Sequence, residues 1–187
     1  MLGRLGAWRH VVAGLTVVVI TVLALTGLIG RDQPERFDSK VVTVQPAGVD
    51  GVRIREVVDQ DFGSHSRHGY ERKIPTDFGH PVDIEASSPD ANADIDVSSV
   101  GSSVRIRLGT PGKTYTGRHR YILSYTLPNA QLSTRDLFLN IIGDPNKPEE
   151  LETRRFEVVL TGLELDNPGC SAGKAGRKGG CTLERDG

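Results

Sequence analysis

Val52-Arg-Ile-Arg-Glu-Val-Val58 alternates apolar and charged residues, the pattern of a β-strand with one face on a core and the other in water. Immediately before it, Pro46-Ala-Gly-Val-Asp-Gly51 reads as a turn, because Asp-Gly readily adopts positive φ. Before that, Phe37 to Val44 carries Val41, Val42 and Val44 and reads as a strand. The three pieces together predict a β-hairpin. Val104-Arg-Ile-Arg-Leu108 repeats the alternation in its cleanest form.

Further strands follow the same logic. Gln60 to Pro75 is a polar loop leading into a short strand, Tyr70 to Ile74. Val82, Ile84 and Ala86 alternate with Asp83 and Glu85, and Ile95 and Val97 mark another strand. Tyr121, Leu123, Tyr125 and Leu127 form one face of a longer strand ended by Pro128. Leu137-Phe-Leu-Asn-Ile-Ile142 is apolar on both faces, as a central strand is. Phe156, Val158 and Leu160 define the last clear strand. About eight short strands separated by turn signals, with no amphipathic helix among them, predict an all-β, antiparallel β-sandwich.

A different segment precedes it. Val11 to Ile29 holds no charge, Asn, Gln or Pro. At about 1.5 Å per helical residue it spans roughly 30 Å of hydrocarbon. Arg4, Arg9 and His10 precede it, and no acidic residue occurs before Asp32, so the N-terminus reads as cytoplasmic and residues 32 onward as outside. Trp8 falls at headgroup level. The rival reading is a cleaved signal peptide, for which Ala24-Leu25-Thr26 is a poor site. Both export the domain. The expected organisation is a cytoplasmic N-terminus at 1–10, a transmembrane helix or signal anchor at 11–30, a linker at 31–36 and a sandwich at 37–187.

With Arg4, Arg9 and Arg31 set aside, 20 of the 23 basic residues and all 24 acidic ones remain after residue 31. That mildly acidic, mixed balance argues against nucleic acid, which requires clustered positive charge on one face. The pairs Arg53/Arg55, Arg105/Arg107 and Arg118/Arg120 sit at i, i+2, which on strands is a solvated sheet face. Cys170 and Cys181 bracket a Gly-rich loop. Outside the cytoplasm such a lone pair reads as a disulfide, contributing on the order of 3 kcal/mol in the chain-entropy model. A metal site there lacks two further ligands, and free thiols are the other reading.

The order of these features is similar to a known family. Asp50-Gly51 with Val52 to Glu56, then Asp61-Phe62 and Arg67-His-Gly-Tyr-Glu-Arg-Lys-Ile-Pro75, then Arg107-Leu-Gly109, Gly117 to Tyr125 and Leu137 to Gly143, resemble the bacterial predicted membrane proteins called domain of unknown function 2207. The likeness covers about residues 37 to 165, and its most specific part is His-Gly-Tyr-x-Arg-x-Ile-Pro. It implies an extracytoplasmic β-sandwich on a membrane protein with no assigned activity and no catalytic residues to carry over. Family members continue into more strands and C-terminal membrane helices, so a chain stopping at Asp186-Gly187 is expected to be incomplete at its C-terminus.

Candidate chemistry is sparse. His65, His68 and His80 lack the spacing of a zinc site. Asp59, Asp61, Asp94 and Asp96 lack a calcium loop. As paired carboxylates they offer only an unmeasured glycosidase-like arrangement. No Gly-x-Ser-x-Gly, Walker loop, dinucleotide fingerprint or His-Glu-x-x-His occurs. Arg67, His68, Tyr70 and Arg72 form a dense polar cluster on a loop, the kind of place where a rigid scaffold carries binding. The sequence therefore predicts a non-enzymatic binding module, held at the membrane by its N-terminal helix, meeting an envelope protein partner and using no metal, cofactor or nucleic acid. The alternatives are a cell-envelope hydrolase using loop carboxylates or histidines, and a structural spacer.

Overall fold

The hairpin predicted by the alternation is the spine of the structure, a computed structural model that describes residues 32–130, 151–163 and 182. Strand β1 (Arg36–Ala47) pairs antiparallel with β2 (Gly51–Asp61), from Ala47 opposite Gly51 to Arg36 opposite Asp61. The turn closes tightly: a Cβ on Gly51 would lie 2.4 Å from the Ala47 carbonyl oxygen. From Glu35 onward the chain forms one unit, and residues 1–34 belong to another.

Two sheets are built on that hairpin. Strands β3 (Tyr70–Pro75), β4 (Val82–Ser87), β5 (Ile95–Val100), β6 (Ser103–Leu108), β7 (Arg118–Leu127) and β8 (Phe156–Leu160) are the others among the described residues. A short 3₁₀ turn, Thr76–Phe78, leads from β3 toward β4. One sheet has the order β4-β7-β2-β1-β8 and the other β3-β6-β5. Val42, Val44, Val52, Ile54, Val58, Leu123 and Leu127 of the first sheet share one core with Ile74, Val104, Ile106 and Leu108 of the second. The all-β class is therefore as the alternation predicts, and two sheets on a common core are consistent with a β-sandwich.

The pairing differs from the expectation at one place. The paired strands run antiparallel except β8, which lies parallel to β1 with Val42 opposite Val158 and Val44 opposite Leu160. The sheet is mixed because β7 and β8 run the same way, and the stretch between Leu127 and Phe156 exceeds the dozen or so residues that a parallel crossover needs.

The membrane segment at 11–30, the strand expected at Leu137–Ile142, and Cys170 and Cys181 all lie outside the described residues. Among the described residues no helix is long and apolar enough to cross a membrane.

Candidate functional site

The four residues expected to form a binding cluster are divided between β3, which carries Tyr70 and Arg72, and the loop before it, which carries Arg67 and His68. Successive residues of a strand point to opposite faces, and Tyr70, Arg72 and Ile74 all point inward, each no more than 3% exposed. Arg72 Nε donates to Glu56 Oε1 at 2.9 Å, and the Tyr70 hydroxyl donates to Glu56 Oε2 at 2.9 Å. Glu56, in the middle of β2, is fully buried. It also accepts from the Tyr125 hydroxyl of β7 at 2.8 Å, and Lys40 Nζ of β1 lies 2.9 Å from it. One carboxylate on β2 thus binds groups from three other strands and from both sheets.

The electrostatics of this interior site follow from its partners. Burial pushes the Glu56 carboxyl up, but Lys40 and Arg72 outweigh it and bring its pKa down to about 2. Burial and the Glu56 charge together push the Tyr70 and Tyr125 phenols upward, so neither gives up its proton at ordinary pH. Burial disfavours the Arg72 cation, yet Glu56 more than restores it. Glu56, Tyr70, Tyr125 and Arg72 are each held in one protonation state, which suits a structural clamp and not proton transfer.

Arg67 and His68 lie outside β3. Both are exposed, on the loop before β3. Arg67 bridges through its backbone to Tyr115, with N to O distances of 3.0 and 2.7 Å. Its Nε lies 2.7 Å from Glu35, and His68 Nδ1 lies 2.9 Å from the Lys113 carbonyl. This loop and the turn at 109–117 therefore brace one another.

A second charged group lies on the outer side of the five-stranded sheet. Arg120 forks onto Asp59 at 2.6 and 2.8 Å, and Ser39 also donates to Asp59. Asp61 is bonded by Arg36, by Arg118 at 3.4 Å and by the Gly63 amide at 2.9 Å. Arg118 reaches Asp38 at 2.9 Å. An open cleft of about 410 Å³ lies here, lined by Asp38, Asp59, Asp90, Arg118, His119 and Arg120. The Arg120 hydrogen bond holds the Asp59 carboxyl below its ordinary range despite partial burial. Burial raises Asp61, but the Gly63 amide, Arg36 and Arg118 lower it further.

The remaining candidates are dispersed. Asp94 accepts from Thr110, and Asp96 lies opposite Arg107. His80 is exposed before β4, and His68 is exposed on the loop before β3. Among the described residues no group of three His, Cys, Asp or Glu could hold a metal ion. The arginine pairs are spread over two sheets and meet polar or acidic neighbours: Arg53 with Glu85, Arg105 with Ser98, Arg107 with Glu71.

Lys40 and Glu56 are the members of the interior site that sequence reasoning missed. A signal was present, since each breaks the parity of its strand. Lys40 shares a face with Val42 and Val44, and Glu56 falls between Ile54 and Val58.

No family model matches the chain, and no curated protein matches it. Solved structures with some likeness include an M1 zinc metallopeptidase from Deinococcus radiodurans, 8% identical with a TM-score of 0.30, over 50% of this chain and 20% of that one. Another is a GH20 exo β-N-acetylglucosaminidase from Vibrio harveyi, 11% identical with a TM-score of 0.35, over 75% of this chain and 20% of that one. The chain thus spans about a fifth of the length of these proteins, and at this level of likeness no activity passes to it.

Proposed function

We propose that the chain is an extracytoplasmic, membrane-anchored β-sandwich of the domain of unknown function 2207 type, acting as a binding module for another envelope protein. The observation carrying this reading is the division of the Arg67-His-Gly-Tyr-x-Arg72 run. Its inward members are committed to the Glu56 clamp, while Arg67 and His68 are displayed on a loop braced by the 109–117 turn. A braced, exposed, polar loop on a packed scaffold is a suitable binding element.

The hydrolase alternative finds less support. A glycosidase-type pair needs one carboxyl raised toward the working pH. Asp59 is held down by Arg120, Asp61 by the Gly63 amide together with Arg36 and Arg118, and Glu56 is sealed from solvent.

The test places a photo-cross-linking amino acid at Thr114, an exposed position beside the loop, in the full chain in its own membrane. One discrete cross-linked partner, weakened by the Arg67→Ala/His68→Ala double variant, is the expected result. Cross-linking that is diffuse, or indifferent to the double variant, overturns this loop as the binding element.

A further inference from the structure

The geometry points to β5 as a strand-pairing edge through which two copies of this chain join their three-stranded sheets about a two-fold axis.

Strand β5 ends its sheet, and among the described residues no strand pairs with its outer side. The hydrogen-bond register shows which groups face outward. Gly109 N donates to Asp94 O at 3.0 Å, so Asp94 and Gly109 form a hydrogen-bonded pair. In an antiparallel ladder such pairs recur every second residue. Asp96 and Ser98 therefore bond to β6, while the N–H and C=O groups of Ile95, Val97 and Ser99 point to the free edge. The same three side chains lie on the core-facing side, opposite Leu108, Ile106 and Val104. Yet Ile95 is 41% exposed and Val97 49%, whereas Ile106 and Leu108 are fully buried.

The other sheet edges carry the devices that discourage pairing. Strand β3 has Pro75 and the inward-pointing charge of Arg72. Strand β4 has a register break between Val82 and Glu85, with Asp83 at φ 50°. Strand β8 is only five residues long and follows Arg154 and Arg155. Strand β5 has neither Pro nor Gly, and its pairing with β6 is unbroken.

Its sequence, Ile-Asp-Val-Ser-Ser-Val, suits a second copy of itself. Put Val97 on the two-fold axis. Val97 then meets Val97 of the second copy, Ile95 meets Ser99, and Asp96 meets Ser98. All outward backbone groups are paired, core-facing side chains stay on one side, and no like charges oppose. The register displaced by two residues that sets Asp96 against Asp96 is disfavoured by repulsion. An isologous contact of this kind closes on itself and does not propagate into fibres.

The experiment is sedimentation of the full chain in detergent micelles across a concentration series, with two variants. Val97→Lys puts charge on the axis. Ser99→Pro removes an N–H that points away from β6, so the ladder within the chain is untouched. The wild type is expected to dimerise, and each variant to raise the dissociation constant at least about tenfold while melting like wild type diluted to monomer. A wild type that stays monomeric overturns the proposal, as does a dimer indifferent to both variants. Slow amide exchange at Ile95, Val97 and Ser99 in a monomer would show that the chain itself covers this edge, and also overturns it.

Discussion

Arg72 Nε lies 2.9 Å from Glu56 Oε1, and both side chains are out of water, one from each sheet. A pair like this gains little over a well-packed apolar pair, because both ions lose their hydration. Breaking it is another matter. Glu56→Gln leaves Lys40 and Arg72 buried without the carboxylate they share, and should cost about 3–5 kcal/mol in a denaturant melt. A loss below about 1 kcal/mol would mean that the network is not a clamp.

The same carboxylate sets an acid limb on stability. Its pKa is lowered from an ordinary 4.5 to about 2 by Lys40 and Arg72, against the opposing push of burial. A depressed folded-state value contributes stability that is present above the unfolded pKa and lost as pH falls toward the folded one. Unfolding free energy should therefore decline as pH falls from 4.5 toward 2, with Asp59 and Asp61 adding to the decline from their ordinary 3.8 downward. Glu56→Gln should flatten the part between 4.5 and 3.8. Parallel acid limbs in the two proteins would sink the assignment.

Gly69 and Gly109 face each other at the ends of β3 and β6. A Cβ on Gly69 would lie 1.9 Å from the Leu108 carbonyl oxygen, and one on Gly109 would lie 1.9 Å from the His68 carbonyl oxygen. Their φ values, 125° and 149°, add strain for any other residue. Gly69→Ala should cost at least about 2 kcal/mol. Gly101→Ala, at φ 58° with nothing within 4 Å of its Cβ, should cost nearer 1 kcal/mol. Equal melts for the two would contradict the close approach.

The strands of this fold were legible because their alternation survives almost intact. Tyr121, Leu123, Tyr125 and Leu127 are all buried, and so are Val104, Ile106 and Leu108. The polar cluster was less legible. A run such as Tyr70-Glu-Arg-Lys-Ile74 shows three consecutive charged residues when read along the chain. Read with period two, Tyr70, Arg72 and Ile74 form one face and Glu71 and Lys73 the other. The partner that lets Arg72 face inward is Glu56, sixteen residues earlier on another sheet, and pairing at that distance leaves no local mark. The parallel placement of β8 is hidden for the same reason: alternation gives the face of a strand and not its direction.

The buried tyrosines offer the sharpest comparison. Tyr70, Tyr121 and Tyr125 each lie at 2% exposure or less. The hydroxyls of Tyr70 and Tyr125 donate to Glu56, while among the described residues that of Tyr121 has no hydrogen-bond partner. Removing a hydroxyl that serves a buried charge costs about 1–3 kcal/mol, whereas removing a desolvated, unbonded one costs nothing or is a gain. Tyr125→Phe and Tyr70→Phe should therefore destabilise by about 1–3 kcal/mol, and Tyr121→Phe should leave stability unchanged or raised. Arg67→Ala, at an exposed position whose side chain pairs with the mostly covered Glu35 carboxylate, should cost no more than about 1 kcal/mol. Chemical denaturation of the four variants checks the set. If Tyr121→Phe proved as costly as Tyr125→Phe, hydrogen bonding to Glu56 would not be what distinguishes them.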